Sequence, residues 1–127
     1  MTVLHPYADA GISMIDAEDV AQVAAALLLR GAPTTSGAVL GETLELTGPS
    51  AVSYADLGRE LSQVSGRQIV VETRSYEEHT AAVPTARTFL EVLGRASEVS
   101  GEVQRILGRP PTPLADYVRR SAESFAM

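Results

Sequence analysis

The sequence predicts an α/β fold, with a small three-stranded, mainly parallel sheet over residues 12–73 and a helical part over 74–127. Two observations predict it. Short apolar runs and helix-periodic stretches alternate in the order strand, helix, strand, helix, strand, and three or four capped helical segments follow. The chain has 127 residues, 45% hydrophobic and 20% charged, enough for one soluble domain with its own core. No internal repeat or linker divides it, so residues 1–127 are expected to form a single domain.

Residues 1–11, with His5, Pro6 and Gly11, read as an irregular lead-in before a buried strand over Ile12–Ile15. Asp16 is an N-cap, Asp19 lies in the first turn, and Val20, Val23, Ala24, Leu27 and Leu28 make one face of a helix ending near Gly31. A loop over Ala32–Gly41 leads to a half-buried strand over Glu42–Thr47, where Leu44 and Leu46 alternate with polar neighbours. Gly48-Pro49-Ser50 stops that strand, and Ser53 with Asp56 opens a helix closed by Gly66. Gln68–Thr73 is the third strand. Ser75 with Glu78 spells a capping box for a short helix stopped by Pro84, and Thr85 caps another carrying Phe89, Leu90 and Leu93. A helix over Ser97–Leu107 follows, then a proline-rich stop and a last helix with Thr112 as N-cap and Leu114, Tyr117, Val118 and Phe125 inward.

Composition excludes several chemistries. With no cysteine, thiolate nucleophiles, CxxC redox pairs and cysteine-ligated metals are absent. All ten positive charges are arginine, so no Schiff base, phosphate-loop lysine or Tyr-x-x-x-Lys pair exists in these residues, and the bias reads as a GC-rich bacterial origin. A net charge of −6 with no basic stripe argues against nucleic acid and anionic membrane surfaces. No apolar run spans a bilayer and no basic, apolar leader opens the sequence, so a cytoplasmic protein is expected.

The candidate chemical groups are few. His5 and His79 have ordinary pKa values near neutrality, which makes them the first acid–base candidates; a mobile segment and a solvated helix are the plainer settings for each. Tyr7 and Tyr54, with Tyr76 and Tyr117, could hydrogen-bond an oxygenated ligand, and Arg87 and Arg95 could meet an anion. Asp19 reads first as the carboxylate that holds a strand-to-helix corner. The catalytic candidates are thus His5, Tyr7, Asp19, Tyr54 and His79. No metal-ligand spacing and no Ser–His–Asp order occurs, so no metal is expected.

Four segments carry a family resemblance: residues 12–27 around Asp19, residues 44–57 with Leu-Thr-Gly-Pro, residues 66–71, and residues 109–118 with Arg-Pro-Pro. In this order and spacing they resemble the C-terminal, substrate-side half of NmrA-like proteins, the atypical short-chain dehydrogenases that bind NAD(P). The resemblance implies that Asp19 matches the family's diagnostic Asp and that the Thr47–Tyr54 loop faces the cofactor side. The family's N-terminal Rossmann unit with its GxxGxxG has no counterpart here, since Gly37 and Gly41 open no helix after a strand, and no cofactor site is expected.

Two functions follow. The first is a stand-alone, Rossmann-less module that binds a small organic molecule or a protein partner without redox chemistry, extending to a cofactor-free acid–base isomerase or cyclase. The second is one half of a split or truncated NAD(P)-dependent oxidoreductase that pairs with a Rossmann-domain chain. Either way the thin sheet calls for association, as a homodimer or with that partner chain.

Overall fold

The computed structural model describes residues 1–30, 43–86 and 97–125. Its sheet has two parallel strands, β1 (Thr2–His5) and β2 (Val70–Thr73), in the register Thr2↔Val70 to His5↔Thr73. The helices are α1 (Ala17–Arg30), α2 (Tyr54–Ser65), α3 (Tyr76–Ala82), α4 (Glu102–Leu107), α5 (Leu114–Arg120) and α6 (Ala122–Phe125), with a 3-10 turn at Pro84–Ala86.

The expected three-stranded sheet is corrected to two strands among the described residues, and β1 lies inside the segment expected to be irregular. Backbone partners explain both differences. Ile12 exchanges two hydrogen bonds with Val52 (2.8 and 2.9 Å), but the Met14 N–H turns back to the Ile12 carbonyl at 2.8 Å, so the Ile12–Ile15 run curls away after one antiparallel bridge. Along residues 43–47, the Glu45 carbonyl, which a strand would spend on a ladder, accepts from Ser100 Oγ, and the Thr47 side chain is engaged too, its Oγ1 accepting the Ser100 N–H (2.9 Å). β1 has no such rival, and its partner lies 68 residues along the chain.

The starts of α1, α2 and α3 and the ends of α2 and α4 follow their capping residues. In contrast, α5 starts after Pro113 rather than on the expected Thr112 cap, because the Thr112 N–H and hydroxyl are donated to Asp19. Asp16 Oδ1 accepts the Glu18 N–H at 2.9 Å, and Ser53/Asp56 and Ser75/Glu78 both close as capping boxes, each pair satisfying donors that a helix start leaves open. Gly66 and Gly108 end α2 and α4 with φ of 67° and 69°, the left-handed turn that glycine takes without strain. The expected helix over 97–107 is confined to Glu102–Leu107, and the Phe89–Leu93 helix lies outside the described residues.

α2 lies against β2 at Gly58, where an added Cβ would come within 2.9 Å of Val71 Cγ2. α1 packs on α4, and α2 packs on α5 and α6. Ile12, Val23, Val103 and Val118 are buried, while Val3, Leu4 and Val70 on the strands remain exposed. Among the described residues no helix is long and apolar enough to cross a membrane.

Candidate functional site

Three segments that the chain order keeps apart converge on one cavity of about 500 Å³. Ile12, Met14 and Ile15 form one wall, Val52, Tyr54 and Leu57 a second, and Leu114 and Tyr117 of α5 a third. Asp16, Ser50 and Thr112 add a few polar groups to a mainly apolar lining, the make-up of a small-molecule site. Gly48 brings the walls together, its N–H reaching the Ser13 carbonyl at 3.5 Å.

Beside this cavity, the carboxyl ends of β1 and β2 gather an aromatic and basic cluster. Tyr54 lines the cavity, and its ring centroid lies 4.1 Å from that of His5. His5 meets His79 edge-on at 5.4 Å and Tyr7 at 6.4 Å. Tyr7, Tyr54 and Tyr76 pack on the buried Ile12. Arg74, next after β2, donates from Nη2 to His79 Nδ1 at 2.9 Å, and its own N–H donates to the His5 carbonyl at 3.2 Å.

Four of the five residues chosen from sequence, His5, Tyr7, Tyr54 and His79, therefore stand together. Asp19 does not stand with them. It is 1% exposed and spends both carboxylate oxygens on the proline-rich segment, accepting from the Thr112 N–H (2.6 Å), Thr112 Oγ1 (2.9 Å) and Arg109 Nη2 (2.8 Å). Asp16, also buried, pairs with Arg120. Arg74, which completes the cluster, carries no sequence signal of its own, because strand pairing brings it to His5 from more than 65 residues along the chain. Arg87 and Arg95 lie outside the described residues. Among the described residues no group of three His, Asp or Glu side chains could hold a metal ion.

Burial, the neighbouring His79 and the Arg74 guanidinium hold His5 below the ordinary imidazole value of 6.5, and burial pushes the Tyr54 hydroxyl above its ordinary 10.0. Below pH 6.5 the unfolded chain then binds a proton that folded His5 resists, so the stability tied to neutral His5 is full above that pH and is lost as the pH falls through it. The melting temperature is expected to drop between about pH 7 and about pH 5.5, and to drop less in His5→Phe. Equal slopes for the two proteins would contradict this.

A dinucleotide pyrophosphate requires free backbone N–H groups at a helix start. In the described residues β1 runs into His5-Pro6-Tyr7 with no glycine loop, and carboxylates already sit on the helix starts, Asp16 on α1 and Asp56 on α2. The β1 loop and the starts of α1 and α2 do not fit the dinucleotide.

In fold, the chain corresponds to one part of solved reductases, among them ones that bind NADPH or NADP(H). It superposes with a TM-score of 0.71 and 24% identity on an NADPH-dependent quinone oxidoreductase from Escherichia coli, over 94% of this chain and 44% of that one. Triphenylmethane reductase of Citrobacter sp. superposes with a TM-score of 0.69 and 24% identity, over 96% of this chain and 44% of that one. In sequence, the chain is 30% identical over 131 residues to the (4-alkanoyl-5-oxo-2,5-dihydrofuran-3-yl)methyl phosphate reductase of Streptomyces griseus, covering 94% of this chain and 44% of that enzyme. It thus spans less than half the length of these relatives, and no protein-family model matches it.

Proposed function

We propose that these residues form the substrate-binding part of an NAD(P)-dependent reductase, the apolar cavity taking a small organic molecule and the dinucleotide being held by a Rossmann unit other than residues 1–127. The observation that carries this reading is the cavity itself, assembled from the 12–17, 49–57 and 112–117 segments with few polar groups. The relatives add support: several are reductases named for organic acceptors, a quinone, triphenylmethane dyes and an acylated furanone phosphate. The strands support it too. Parallel sheets are normally covered on both faces, yet Val3 and Leu4 are 41% and 44% exposed, apolar surface of the kind a further α/β unit would cover. That unit could be a Rossmann-domain chain; a homodimer is the other arrangement compatible with the exposed strands. The cofactor-free isomerase or cyclase finds no support among the named reductases.

The test is binding of a lactone and quinone panel, read by tyrosine fluorescence and thermal shift. Met14→Trp, which fills the cavity, is expected to weaken binding at least about tenfold, equivalent to about 1.4 kcal/mol. NADPH is expected to give no shift with residues 1–127 alone. Unchanged panel binding in the variant, or saturable NADPH binding to this chain alone, would overturn the reading.

A further inference from the structure

The cluster at the carboxyl ends of β1 and β2 contains hydrogen-bond donors that no described protein group receives. His5 Nδ1 accepts the Tyr7 N–H at 3.1 Å, and His79 Nδ1 faces Arg74 Nη2, which can only donate. Each neutral ring therefore carries its proton on Nε2, and no acceptor among the described residues takes either. Arg74 Nε is buried with no hydrogen-bond partner, although the residue is only half-buried. Leaving such a donor unmet costs about 1–3 kcal/mol.

Carboxylates do not resolve this. Arg59, Arg105, Arg109, Arg119 and Arg120 all form ion pairs, whereas among the described residues none pairs with Arg74. The nearby acids are engaged elsewhere or turned outward: Glu78 caps the Ser75 N–H, and Glu72 and Glu77 are exposed. A chain with net charge −6 thus keeps one guanidinium and two imidazole N–H groups together without a counter-ion among the described residues. The carboxyl ends of parallel strands are also where open α/β sheets receive ligands.

We propose that Arg74, His5 and His79 bind an oxyanion, a phosphate monoester or a carboxylate, carried by the ligand whose apolar body occupies the adjacent cavity. This rests on the reading above, with Tyr54 as the shared wall between cavity and cluster. Charge-assisted hydrogen bonds from a guanidinium suit either oxyanion.

The experiment titrates the full chain with hexyl phosphate, hexanoate, hexanol and inorganic phosphate at fixed ionic strength, by calorimetry and by NMR of the two imidazoles. At least one of the two oxyanion ligands is expected to bind at least about tenfold more tightly than hexanol and to move both imidazole resonances. The tighter of the two identifies the ligand as a phosphate or a carboxylate. Arg74→Gln and His79→Gln should each remove that preference while leaving hexanol binding intact, and Arg74→Lys should retain part of it. Hexanol binding with no oxyanion preference overturns the anion site and leaves the cavity reading standing. Inorganic phosphate moving the imidazoles while hexanol fails to bind overturns the cavity reading and keeps the anion site.

Discussion

Asp19→Ala is expected to lower stability by about 3 kcal/mol, a melting-temperature drop of roughly 10 °C in a chain of this size. The change leaves the half-buried Thr112 N–H and hydroxyl without their acceptor and removes the partner of Arg109. The exposed side of Arg109 can rehydrate, which keeps the cost at the lower end of what breaking a buried ion pair involves. Burial alone would raise the Asp19 pKa, but the hydrogen bonds from Thr112 and Arg109 outweigh it and hold the carboxyl below its ordinary 3.8. The carboxylate's contribution is therefore present above that pH and disappears only as the pH falls below it. Thr112→Val, which keeps the backbone N–H, should cost about 1 kcal/mol. Urea denaturation checks both; an Asp19→Ala protein within about 0.5 kcal/mol of wild type would show that the clamp contributes nothing.

Gly48→Ala is expected to cost about 2–3 kcal/mol and to impair the cavity as well. An added Cβ would lie 2.0 Å from the Met14 carbonyl oxygen and 3.1 Å from its carbon. Both are backbone atoms, so a segment has to move, and it is the segment that forms one cavity wall. Panel binding and melting temperature should fall together. Gly101→Ala, which meets nothing within 4 Å, is the control and should stay within about 0.5 kcal/mol. A Gly48→Ala protein with wild-type stability would mean that the 12–17 wall yields freely.

What could be read along the chain was local. Capping chemistry at Asp16, Ser53 and Ser75 and the stops at Gly66 and Gly108 involve neighbours within a turn or two, and their spacing marked the helix ends closely. Strands were harder, because a strand exists only through its partner. Ile12–Ile15 has the apolar character of a strand but no ladder, and Thr2–His5 lacks the pattern but has one. The candidate site divided in the same way. His5, Tyr7, Tyr54 and His79 were singled out by side-chain chemistry, whereas the role of Arg74 emerges only when β2 is laid beside β1. The first-turn position of Asp19 suggested a holding role; the identity of what it holds, 90 and 93 residues away, had no sequence signal.

The Asp19 clamp also bears on the order in which the molecule is built. It joins α1 to the segment before α5, as β1 joins β2, so contacts that fix the tertiary arrangement close loops of more than 60 residues. Local helices can form and dissolve before either closure is made, and topologies dominated by distant contacts fold slowly for their size. Until the 109–112 segment arrives, Asp19 keeps its water, and the helix that carries it lacks one of the contacts that fix its direction.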